Sequence, residues 1–172
     1  EVVLIQQSLA INIFEELDRP GEWYLDRESG WLYLYPDCDL SKAEIDLSLL
    51  AESLLTVKNA SHIRFKGLTF TATRGNALTL FGDHLSVENC VIKNVAGYAA
   101  VIDGNHVRVS GCEMCHLGRG GVMITGGDRA TLTPSHNVLE NNHIHHFYCS
   151  KLIPFISRSI SCLRSEILSG TR

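Results

Sequence analysis

Apolar and polar residues alternate in short runs, and the runs return at a fixed interval. His62-Ile63-Arg64-Phe65-Lys66-Gly67-Leu68 is followed by three counterparts: His84-Leu85-Ser86-Val87-Glu88-Asn89-Cys90, His106-Val107-Arg108-Val109-Ser110-Gly111-Cys112, and His136-Asn137-Val138-Leu139-Glu140-Asn141-Asn142. The leading histidines are 22, 22 and 30 residues apart, so the third interval is one period plus eight inserted residues. A second run repeats at the same step over 77–82, 99–104 and 121–126, with a fainter earlier copy at 55–59. Apolar residues at every second position, such as Leu85 and Val87 or Val107 and Val109, have the periodicity of a strand. Gly or Asn stands at 67, 89, 111 and 141, where a corner needs left-handed or bulged backbone.

A period of this size marks a stacked array in which no single unit buries its own core. Helical repeats need longer amphipathic runs, and the leucine-rich pattern is absent. The reading that remains is all-β: a single-stranded, right-handed parallel β-helix with about 22 residues per coil. Each strand then pairs with its equivalent one coil on, roughly 4.8 Å away. Leu68, Cys90 and Cys112 would form one inward column, and Phe70, Ile92 and Met114 another.

The flanks differ from the coils. Residues 22–36 read as a hairpin, with Trp23 and Leu25 alternating before the turn Arg27-Glu28-Ser29-Gly30, and Leu32 and Leu34 after it. Its aromatic side chains suit cross-strand pairing at the end of a solenoid, or a platform for sugar stacking. The expected organisation is an N-terminal cap over 1–53, coils over 54–147 and a non-repeating tail over 148–172. In the tail Leu152, Phe155, Ile156 and Ile160 fall at near-helical spacing, which suits a short amphipathic cap. An open coil end exposes unpaired strand edges, so self-association through that end is expected unless something covers it.

Composition narrows the function classes. Of 172 residues, 45% are hydrophobic and 20% charged, so a folded core is affordable. The net charge of −4 leaves no basic surface for nucleic acid. No apolar run reaches the ~20 residues of a membrane-spanning helix. The first residue is Glu1 and nothing near it reads as a signal peptide, so the chain is expected to be a piece of something longer or a mature form. The six cysteines are irregularly spaced, and the single C-x-x-C at Cys112 and Cys115 lacks the second pair of a zinc site, so they read as small buried apolar residues. No cofactor and no metal are expected.

Specific segments carry a family resemblance. Glu22-Trp23-Tyr24-Leu25-Asp26, Gly30-Trp31-Leu32-Tyr33-Leu34-Tyr35-Pro36, and Gly126-Gly127-Asp128-Arg129 with Thr131-Leu132-Thr133-Pro134 resemble the pectate-lyase-like β-helix superfamily. Within it they are similar to glycoside hydrolases of the xylanase and α-L-fucosidase type, over about residues 14–147. The resemblance implies a poly- or oligosaccharide partner, a secreted or extracytoplasmic parent, and hydrolysis by two carboxylates ~5–10 Å apart. It also implies that the catalytic acids lie on later coils, so this chain reads as a C-terminally truncated, inactive piece. A polysaccharide lyase and a non-catalytic glycan-binding or structural β-helix are the alternatives.

Among residues that can carry chemistry, Glu113 points outward between Cys112 and Met114, and Asp128 opens the inserted loop. Both are candidate catalytic carboxylates. Asp83 and Asp103 flank corner glycines, where Asp is favoured for turn hydrogen bonding. His116, Arg119 and Arg129 are candidate substrate-binding residues. Arg74, Lys93 and Arg119 fall in successive corners and suggest a modest basic rim. His143, His145 and His146 form His-x-His-His, in which alternation sends His143 and His145 to one side and Ile144 inward. The leading histidines His62, His84, His106 and His136 are expected to stack as a structural ladder.

Overall fold

A computed structural model describes residues 12–44, 47–147 and 161–162. The chain divides into two compact units, residues 1–45 with 160–172, and residues 46–159.

In the first unit, strands β1 (Trp23–Leu25) and β2 (Leu32–Leu34) form the expected antiparallel hairpin, with Tyr24 opposite Tyr33. Those two rings lie 6.0 Å apart, and Phe14 packs edge-on against both. Asp26 closes the turn by accepting from the Glu28 N–H and the Ser29 hydroxyl, which holds its carboxyl below the usual range. Asn12 bonds both the N–H and the carbonyl of Leu25. A short β3 (Ala43–Glu44) pairs antiparallel with Ser161–Cys162. The near-helical pattern expected around residues 152–160 lies outside the described residues.

The second unit is the solenoid. Three parallel sheets of four strands each run along it. The first sheet holds β4 (Leu55–Lys58), β7 (Leu78–Phe81), β10 (Tyr98–Asp103) and β13 (Gly120–Thr125). The second holds β5 (Arg64–Lys66), β8 (Ser86–Glu88), β11 (Arg108–Ser110) and β14 (Val138–Glu140). The third holds β6 (Thr69–Thr73), β9 (Val91–Val95), β12 (Glu113–Leu117) and β15 (His143–Phe147). The register is the period: Val57 lies beside Leu80 and Leu80 beside Ile102, Phe65 beside Val87 and Val87 beside Val109, Phe70 beside Ile92 and Ile92 beside Met114.

Like side chains therefore stack inward. Leu80, Val87, Ile92, Ile102, Val109 and Met114 are fully buried in one core. Leu68 is the exception to its predicted column. Its carbonyl accepts from Val91 N–H as the register requires, but its side chain is 45% exposed. It precedes β6, the edge strand of the third sheet, so among the described residues no earlier strand pairs beside it. Cys90 and Cys112 are buried as expected, and their thiols point at the carbonyls of Glu88 and Ser110.

Corners repeat as faithfully as strands. Gly67, Asn89, Gly111 and Asn141 all adopt left-handed backbone, with φ of 68°, 50°, 64° and 51°. At another corner Gly82, Gly104 and Gly126 succeed each other at the repeat step, and a Cβ on Gly104 would lie 2.0 Å from the Gly82 carbonyl oxygen. Only glycine allows rungs to approach this closely. The fourth rung is fastened by asparagines: Asn137 bonds Val107 N–H and the Gly104 carbonyl, and Asn142 bonds Cys112 N–H and the Val109 carbonyl. Among the described residues, no helix is long and apolar enough to cross a membrane.

Candidate functional site

Two places gather polar chemistry. The first is the corner between the first and second sheets, where the inserted residues leave the coil. His62, His84, His106 and His136 stack there with ring centroids 4.6, 4.7 and 5.0 Å apart and nearly parallel planes. All four take left-handed backbone, with φ of 60°, 55°, 56° and 53°. Asp83 Oδ1 accepts from the N–H of Asn105 at 2.7 Å, and Asn105 Oδ1 accepts from Gly127 N–H at 2.9 Å, so one polar chain climbs three rungs.

The insertion closes this chain with a small hairpin. Asp128 and Thr133 exchange backbone hydrogen bonds of 2.9 Å. The Asp128 carboxylate accepts from Thr131 Oγ1–H and Ala130 N–H, both at 2.8 Å, and these bonds hold it below the usual carboxylate range. These bonds make an Asx turn that pins the loop. Arg129 is exposed, and among the described residues it makes no ion pair with Asp128. An open cleft of about 570 Å³ lies between this loop and the ladder, lined by Asp83, Asn105, Asp128, Thr131, His106 and His136 among others.

The second place is the outward face of the third sheet on its last two rungs. Register sets Thr69, Val91, Glu113 and His143 in one row, and Thr71, Lys93, Cys115 and His145 in the next. Beside them runs a third left-handed column, Ala72, Asn94, His116 and His146, with φ of 62°, 55°, 52° and 52°. The last two rungs thus bring Glu113, Cys115 and four histidines to one face. The His116 ring stacks 5.2 Å from that of His146, and the His143 ring lies 4.4 Å from that of His145. His145 Nε2 stands 3.6 Å from Glu113 Oε1. Ile144 faces inward, as alternation requires. Burial raises the Cys115 thiol above its ordinary pKa, with Glu113 adding to the rise and Lys93 opposing it. Burial likewise raises Cys112.

These positions separate the sequence candidates. Glu113 belongs to the third sheet and Asp128 to the loop between the first and second, and the cleft lined by Asp128 does not include Glu113. His116 is on β12 and Arg119 in the bend that follows it, whereas Arg129 sits on the insertion. Arg74, Lys93 and Arg119 do not stack. Arg74 shares its row with Ala96, Lys93 pairs with Cys115, and Arg119 bonds Gly97. Their intervals of 19 and 26 residues miss the 22-residue step that sets one side chain over the next. Cys115 is buried as expected, but on the outer row beside Glu113 and His145 rather than in the core with Cys90 and Cys112. Its place two residues after outward Glu113 on one strand was the available signal.

The stacked parallel ladders define a β-solenoid. The chain belongs to the right-handed β-helix family, whose model matches residues 53–151, more than half of its length. No match was found among curated proteins or among solved structures.

Proposed function

We propose that this chain is part of a carbohydrate-active β-helix protein of the glycoside hydrolase kind, and that its cleft under the 127–134 loop holds a poly- or oligosaccharide. The observation that carries this is the cleft's lining. Asp83, Asn105, Asp128, Thr131, His106 and His136 line one open groove. Such a set offers acceptors and donors to a chain of hydroxyls.

One observation favours recognition without turnover by these residues. A general acid needs a carboxyl that keeps its proton near neutral pH. Asp128 is held the other way by its two hydrogen bonds, so it serves the loop's shape and a ligand's hydroxyls. Glu113 lies on a different sheet and does not complete a pair with it.

The test is a glycan array followed by titration of the best ligand, with reducing ends assayed in parallel. Binding that weakens at least about tenfold in Asn105→Ala and Thr131→Ala supports the reading. Binding without new reducing ends assigns this stretch to recognition. No bound glycan, or binding indifferent to both substitutions, overturns it.

A further inference from the structure

We propose that Glu113, Cys115 and His145 hold a divalent transition-metal ion, zinc by preference, on the outer face of the third sheet. One ligand atom from each, a carboxylate oxygen, Sγ and an imidazole nitrogen, lies within 4.8 Å of the other two. Sulfur, nitrogen and oxygen donors together suit zinc, and three protein ligands leave a fourth position open to water or a substrate atom. This site is separate from the cleft and does not depend on the saccharide reading.

The fold supplies the rigidity such a site needs. Glu113 and Cys115 are two residues apart on β12, so both project from the same face. Cys115 pairs directly with His145 on β15. The three donors thus stand on adjacent, hydrogen-bonded rungs. Metal–ligand bonds of about 2.0–2.3 Å at tetrahedral angles put donor atoms roughly 3.3–3.5 Å apart. The Glu113–His145 separation of 3.6 Å is already near that edge.

A second observation points the same way. His145 Nε2 is buried and lacks a hydrogen-bond partner. At 3.6 Å it is too far from Glu113 to share a proton, but well placed to share a cation. A buried imidazole nitrogen without a partner is costly, and a metal would satisfy it. On the other side of the ring, His145 Nδ1 contacts His146 Nδ1. A proton donated from His145 Nδ1 across that contact leaves Nε2 as a bare lone pair, the form that ligates metal. His146 is therefore a positioning residue. The Cys115 thiol gives up its proton to solvent as its sulfur bonds the metal.

The test is titration of the full chain with Co²⁺ as a spectroscopic probe, then competition by Zn²⁺. One equivalent of Co²⁺ is expected to give a thiolate-to-cobalt charge-transfer band and the visible bands of tetrahedral cobalt. Cys115→Ala should abolish the charge-transfer band. Exposed Glu113→Gln, which leaves the core untouched, should keep the band but weaken binding at least about tenfold. His146→Gln should weaken it about 10- to 100-fold, as loss of an outer partner does. His106→Ala, in the separate imidazole ladder, should leave metal binding unchanged. No charge-transfer band, a band that survives Cys115→Ala, or binding lost only in His106→Ala overturns the proposal.

Discussion

The His84 ring lies 4.7 Å from the His106 ring with their planes 3° apart, and both residues sit in left-handed backbone. Stacking and strain therefore meet at one position. Left-handed backbone is tolerable for His and Asn but poor for a β-branched residue. His106→Val is expected to cost about 1–3 kcal/mol more than His106→Asn, read from urea unfolding midpoints. Equal costs would remove backbone conformation as the reason for the ladder's composition.

Close approach of rungs is tested at Gly104. Its Cβ would meet the Gly82 carbonyl oxygen at 2.0 Å, whereas a Cβ on Gly67 has nothing within 4 Å. Gly104→Ala is expected to destabilise by about 2–4 kcal/mol. Gly67→Ala bears only the left-handed penalty of about 1–2 kcal/mol. Thermal unfolding of the two variants side by side decides it, and a reversed order contradicts the corner geometry.

The core columns make a third prediction. Ile92 is fully buried between Phe70 and Met114. Ile92→Ala should cost about 2–5 kcal/mol through lost burial and the remaining cavity. Thr69→Ala, on the exposed face of the same sheet, should stay within about 0.5 kcal/mol. Similar losses at both sites would mean that inward and outward rows are misassigned.

How much of this was legible in the sequence differs by feature. Ile63 and Phe65, repeated as Leu85 and Val87, fixed strands and register, because alternation and period are properties of the residues themselves. The corner glycines and asparagines announced their left-handed backbone. The same conformation at His62, His84, His106, His116, His136 and His146 was not read, because histidine, though enriched there, mostly occupies ordinary backbone. Cys115 escaped notice because residue type alone grouped it with Cys90 and Cys112, although alternation from Glu113 sets it on the outer row. Its partnership with His145 depends on an eight-residue insertion resuming in register, which only the paired strands reveal.

The insertion has a pH dependence of known sign. Hydrogen bonds from Thr131 and Ala130 lower the Asp128 pKa from its ordinary 3.8. A depressed folded value means that the carboxylate's contribution is fully present above the unfolded pKa and is lost as pH falls through the lower folded one. The loop should therefore be unchanged from pH 7 down to about 5 and loosen only below the ordinary value. Thr131→Val removes the largest cause, so the Asp128 midpoint should move upward in a carbon-13 NMR titration. An unmoved midpoint would show that the hydroxyl does not hold the carboxylate.

Every site described depends on rungs lying in register, and methyl NOE spectroscopy measures that directly. Contacts are expected between the Ile92 δ1 and Met114 ε methyls, and between Met114 ε and Ile144 δ1, residues 22 and 30 positions apart. Absence of both contacts, with only neighbours along the chain in their place, would contradict the solenoid and both sites built on it.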